Sequence, residues 1–177
     1  MSTDFIALFD VSLEEINADW LVAKLSADPS FGAEVVDHFR DLWETKRWTL
    51  DSSPTTRQSR LLGPGGFAVD VRPQMIELYH MIPFRIFVSD VALRKALRNA
   101  CLSIADLVGS TRAIYTHELM PYKGQGLIEI ERNLRTKIGL PATTFEELHE
   151  AEYYGPRAWY VDTFEDLRLK DEPRLTL

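Results

Sequence analysis

Hydrophobic positions along the chain change their spacing as the chain proceeds. Leu13, Ile16, Trp20, Leu21 and Leu25 recur at three- and four-residue intervals, the single apolar stripe of an amphipathic helix. Ser12 and Glu15 stand three apart in front of that stripe and form a capping box, which predicts where the helix starts. Asp28-Pro29-Ser30 breaks the pattern and opens a second helix. Phe31, Val35, Phe39, Leu42 and Trp43 lie on one side of it, with Asp37, Arg40, Asp41 and Glu44 largely elsewhere, until it ends near Lys46-Arg47. Two amphipathic helices joined by so short a link predict an antiparallel pair laid on a flat layer.

The middle of the chain supplies that layer. Residues 51–66 are rich in Ser, Thr, Pro and Gly and read as one long loop, of a length that is often functional. Gly63-Pro64-Gly65-Gly66 then has the chemistry of a turn into a strand. Phe67–Val71 and Met75–His80 flank Arg72-Pro73-Gln74 as a hairpin, and Phe84–Val88 behind Pro83 reads as a further strand. Ser89 caps the strongest helix, 90–108, with Leu93, Leu97, Cys101, Ile104 and Val108 as its core stripe and Gly109 as its stop. Arg112–Leu119 predicts a strand. A helix runs from the loop at 120–126 to about Ile138, and Thr144 with Glu147 opens a short helix over 145–152. Ala158–Asp162 is the last strand, with Trp159 and Val161 on one face and Tyr160 on the other; the tail, 171–177, reads as frayed. The expected fold is a single α+β domain over residues 1–177. Its mostly antiparallel mixed sheet is packed by an N-terminal helix pair and a central amphipathic helix.

Composition narrows the class of protein. The chain has 177 residues, 45% hydrophobic and 11% aromatic, with one cysteine. That excludes a disordered, collagen-like or disulfide-scaffold chain. Asp10 closes the first apolar stretch too early for a signal segment, and no run reaches the ~20 apolar residues of a membrane span. A cytoplasmic protein away from membranes is expected. The net charge of −7 disfavours sequence-blind nucleic-acid binding. Yet the charge is uneven. Residues 1–50 carry −6, residues 51–112 carry +3 and residues 113–177 carry −4. An Arg-bearing middle between acidic flanks marks a place to look, although charge runs also arise as plain solvated surface.

Few patterns carry chemistry. Tyr115, His117 and Glu118 at the end of a strand are the best catalytic candidates, since a histidine titrates near neutrality. Tyr115 and His117 share a face, and Glu118 points the other way. Lys123 precedes Gly124-Gln125-Gly126 at a helix start, where an anion can be held, and Arg57 and Arg60 in the long loop can grip carboxylate or phosphate. The spacings of His38, His80, His117 and His149 match no metal motif, so neither a metal nor another cofactor is expected. Cys101 sits in a core stripe as an inert thiol. Tyr153, Tyr154 and Arg157 are of the residue types that anchor partners.

Together these features favour a non-catalytic protein-binding module that engages another protein through an acidic surface and aromatic/Arg anchors, for example an inhibitor or immunity-type partner of a basic protein. The alternative is a small enzyme or anionic-ligand-binding domain. In that case Tyr115, His117 and an arginine of the 51–66 loop converge on one pocket. A third reading is self-association through a sheet edge or the helix pair.

Overall fold

The fold is organised around a strand that the hydrophobic pattern conceals. In the computed structural model, which describes residues 4–11, 16–39, 47–51, 59–117, 126–150 and 157–164 (149 and 150 by backbone alone), β1 runs from Asp4 to Asp10. Phe5 through Phe9 are all buried, so both faces of the strand are covered. Each fully buried Phe, Ile or Leu there contributes about 2 kcal/mol. The other strands are β2 (Thr49–Leu50), β3 (Ser59–Leu62), β4 (Phe67–Arg72), β5 (Met75–Pro83), β6 (Arg112–His117) and β7 (Tyr160–Thr163). They form one sheet in the order β2-β3-β4-β5-β1-β6-β7, with every neighbouring pair antiparallel. Among the described residues, a parallel bridge also joins Ala142, outside the strands, to Tyr160 at the start of β7.

Alternation along the strands separates two cores. Phe5, Ala7 and Phe9 join Phe67, Val69, Ile76, Leu78, Ala113 and Tyr115 on the face covered by most of the helices. Those helices are α1 (Ala18–Ala27), α2 (Ala33–Phe39), α3 (Phe84–Ser89), α4 (Val91–Val108) and α6 (Phe145–Glu150). Ile6, Leu8, Met75 and Ile114 point the other way, against Leu127, Ile130 and Leu134 of α5 (Leu127–Lys137) and against Trp159. The α+β class, two N-terminal helices and the central helix are as the sequence predicts; α2 is described to Phe39, and the expected continuation through residues 40–46 lies outside the described residues. In α4 the whole expected stripe is buried. Trp159 and Tyr160 divide between the two cores in the way their alternation requires.

Some elements differ from expectation. Phe84–Val88 is helical. Its side chains Phe84, Phe87 and Val88 are buried at i, i+3 and i+4, a helical spacing that five residues are too few to distinguish from a strand. β5 continues to Pro83, which takes the N-cap position of α3. α1 starts at Ala18, with the Asn17 side chain accepting from the Trp20 amide at 2.9 Å, so Ile16 and Asn17 precede the helix; Ser12–Glu15 lie outside the described residues. α4 is capped by Asp90, whose Oδ1 accepts from Leu93 at 3.0 Å, and not by Ser89. Finally, part of the expected 51–66 loop is β3, held between β2 and β4.

Candidate functional site

Asp28, Pro29 and Ser30 reverse the chain between α1 and α2. The Asp28 carboxylate accepts through Oδ1 from the Ser30 amide at 2.9 Å and from its hydroxyl at 2.5 Å, an Asx turn of the kind this residue favours. The reversal sets Phe31 inward, edge-on to Trp48 and to Phe67 with both ring separations 5.5 Å. Behind Trp48 lies Gly63, where an ideal Cβ would fall 2.5 Å from the indole ring, so no larger residue fits there without moving the ring. Between these parts lies a cleft of about 570 Å³. Phe31, Val36, Trp48 and Pro64 line its apolar part, and Ser26, Asp28, Asp37 and Arg47 its polar part. Two carboxylates and one guanidinium share the lining with the apolar residues. The excess negative charge favours a cation there.

Other predicted site residues go elsewhere. Tyr115 and His117 do share a face, and it is the one packed under α3 and α4. Tyr115 is fully buried and donates from its hydroxyl to Asp162 Oδ2 at 2.7 Å. Arg98 grips the same carboxylate with Nε and Nη2 at 2.7 and 2.9 Å. Burial pushes the Tyr115 hydroxyl well above its ordinary value and raises the Cys101 thiol beside it, so both stay protonated. His117, 1% exposed, lies beside Phe84 at 5.6 Å. Arg60 sits on the opposite face of the sheet with three strands between β3 and β6, roughly 19 Å across. It makes a bidentate pair with Asp70 there, both contacts at 2.7 Å. Tyr115, His117 and Arg60 therefore do not meet in one pocket.

The helix start at Gly126 holds an anion of the chain's own. Asp10 Oδ1 accepts from the Leu127 amide at 3.1 Å, the stabilising position for a carboxylate at a helix N-terminus. Arg157 is exposed, has a left-handed backbone (φ 72°) and pairs with Glu147 at 2.9 Å. Glu118, Arg57, Lys123, Tyr153 and Tyr154 lie outside the described residues. Among the described residues, no helix is long and apolar enough to cross a membrane, and no three His, Cys, Asp or Glu side chains gather as a metal site would require.

The cleft itself was not legible as a site. Asp28 reads as a helix breaker, Asp37 as a solvated position and Trp48 as no part of any pattern. The one signal pointing toward them is the −6 charge of residues 1–50. No protein-family model matches the chain, and it has no match among curated proteins or solved structures.

Proposed function

We propose that the protein is a non-catalytic protein-binding module whose cleft between α1 and α2 receives a lysine or arginine side chain of a basic partner. The observation that carries this reading is that Asp28 and Asp37 line one cleft of about 570 Å³ together with Phe31, Val36 and Trp48. A long cationic side chain lays its methylene stem on the apolar part and brings its charged head to the carboxylates. The surrounding segment is acidic, which draws a basic partner in and disfavours an acidic one.

The test uses short peptides of matched length bearing arginine, lysine, glutamine or glutamate, titrated against the ¹⁵N-labelled protein. The arginine and lysine peptides are expected to shift the amides of residues 25–37 and 47–48. Reversing one charge with Asp37→Lys should weaken them by about tenfold. Equal binding of the glutamate peptide, or shifts confined to other parts of the molecule, would sink the proposal.

A further inference from the structure

One wall of the cleft is tied down by a buried histidine. His80 on β5 is 1% exposed. Its Nδ1 lies 3.1 Å from the Ile82 amide. A backbone N–H can only donate, so Nδ1 carries the lone pair and the ring proton sits on Nε2. From there it is donated to the Gly65 carbonyl at 2.8 Å. Both nitrogens are committed in the neutral ring, and a second proton on Nδ1 would point straight at the Ile82 N–H.

Among the described residues, none places a counter-charge against the ring. The rings of Phe67 and Phe39 close on His80 at 4.7 and 5.3 Å. Asp70 on β4 and Glu77 on β5 face the other side of the sheet with Arg60 and Arg72, and Asp4 on β1 bonds Tyr79 on that same side. Asp37 and His38 of α2 and Arg85 of α3 are exposed. Arg94 and Arg98 of α4 lie over Phe145. His117 on β6 shares the face and the cross-strand row, with Phe5 between the two histidines. Burial accordingly lowers the His80 ring to about 4, against a partial opposing effect of the Gly65 bond.

What His80 holds is the support of the cleft. Gly65 lies in the 3₁₀ turn Pro64–Gly66 with φ 64°, so close to α2 that an ideal Cβ would fall 2.8 Å from Val36 Cα. Trp48 rests on Gly63 of the same segment, and Pro64 lines the cleft directly. The α2 wall and the indole floor therefore both sit on a turn that His80 fastens to β5.

We infer that His80 is an acid-sensitive latch on the cleft: protonating its ring loosens the Pro64–Gly66 turn, and with it the seats of Val36 and Trp48, so that the cleft lets go of its ligand. The functional consequence rests on the cleft being the binding site; the loosening does not. The sign comes from linkage. A ring that titrates near 6.5 when released and near 4 when held binds more protons in the open state between those values. Opening is therefore suppressed above pH 6.5 and promoted as the pH falls toward 4. At pH 5 the open fraction of this region should stand ~30-fold above its value at pH 8.

Hydrogen exchange of the full chain, corrected for the intrinsic pH dependence, reads this without a partner. Peptides covering 33–39 and 61–68 are expected to show the ~30-fold rise in opening at pH 5, and α5 a much smaller one. In His80→Gln, where the amide keeps a donor and an acceptor but does not titrate, the rise should vanish. Unchanged protection at 33–39 and 61–68, an equal rise in α5, or the same rise in His80→Gln would each overturn the latch. Should His80→Gln not fold, the ring is titrated directly by NMR in the native protein. Titration below pH 5 supports the latch, and titration near 6.5 overturns it. The arginine peptide separates the two ideas. No binding at pH 8 removes the cleft reading and leaves the exchange result standing. Binding as tight at pH 5 as at pH 8, when exchange shows the region open in a substantial fraction of the protein at pH 5, removes the latch.

Discussion

Asp162 shows how a single side chain decides what its neighbours can do. It is 2% exposed, and its two oxygens collect Arg98 twice and the Tyr115 hydroxyl once. Its surroundings turn three groups of reactive type into structure: a tyrosine that keeps its proton, an arginine held bidentate and a cysteine buried beside them. Asp162→Ala leaves Arg98 and Tyr115 facing an apolar gap and should cost about 3 kcal/mol, because removing one member of a buried pair strands the other. Replacing both members with apolar residues, Arg98→Met with Asp162→Leu, should cost less than the single change. Tyr115→Phe leaves the ion pair intact and should cost about 1 kcal/mol. Urea midpoints of the four proteins measure the order. A double variant less stable than Asp162→Ala would contradict it. At this scale the sequence was legible in part. Alternation put Tyr115 and His117 on one face correctly, but whether that face meets a cleft or a core depends on α3 and α4 lying across it. Arg98 is not part of the core stripe of α4, yet it reaches Asp162, 64 residues distant in the chain.

Elements were legible where their period had room to show. α4, at 18 residues, displays its full stripe, and the β4–β5 hairpin alternates on both arms. β1 is hidden for a physical reason: a strand buried on both faces replaces alternation with an unbroken apolar run, which carries no period. α3 is hidden because six residues give less than two helical turns. The start of α1 was displaced because two good cap residues are available, Ser12 before the stripe and Asn17 within it after Leu13 and Ile16, and local sequence does not choose between them. The Asn17 cap makes a clean prediction. Asn17→Ala removes the acceptor of the Trp20 amide and should cost about 1 kcal/mol, whereas Asn17→Gly should cost only a few tenths. Thermal unfolding of the two variants distinguishes them, and equal losses would mean that the side-chain bond is not what holds this helix start. Asp10→Ala should likewise cost about 1 kcal/mol at the start of α5. Asp10→Asn keeps an acceptor for the Leu127 amide and should recover part of that, which chemical denaturation with each variant would show.

At the scale of the whole molecule, the arrangement of charge bears on function more than its total does. Across the outer face of β3, β4 and β5, Asp70 and Glu77 stand opposite one another in the ladder, a repulsive placing that Arg60 and Arg72 neutralise from either side. Arg60, Arg72 and Arg98 of the Arg-bearing middle are thus used in pairs with carboxylates of the chain itself. The acidic excess of residues 1–50 is different in kind. Asp19, Glu34 and Asp37 are exposed on α1 and α2, Asp37 in the lining of the cleft, and act on what approaches from outside. The cleft was invisible in the sequence because its parts come from α1, α2, Trp48 and Pro64, and only the strand order brings the last two under the helices. If a basic partner is drawn in by this acidic side, its arrival and its departure should respond differently to salt. Screening shortens the reach of the field from about 30 Å at 0.01 M to about 8 Å at 0.15 M, which slows encounter. A side chain already seated against Phe31 and Trp48 is held by close contacts that salt affects much less. The association rate of the arginine peptide should therefore fall by about tenfold between 0.01 and 0.15 M salt, with the dissociation rate changed by less than about twofold. Asp37→Lys should flatten the salt dependence of association as well as weaken binding. Stopped-flow measurement across that range gives both rates, and an association rate indifferent to salt would place the recognition in the apolar floor alone, with the carboxylates as bystanders.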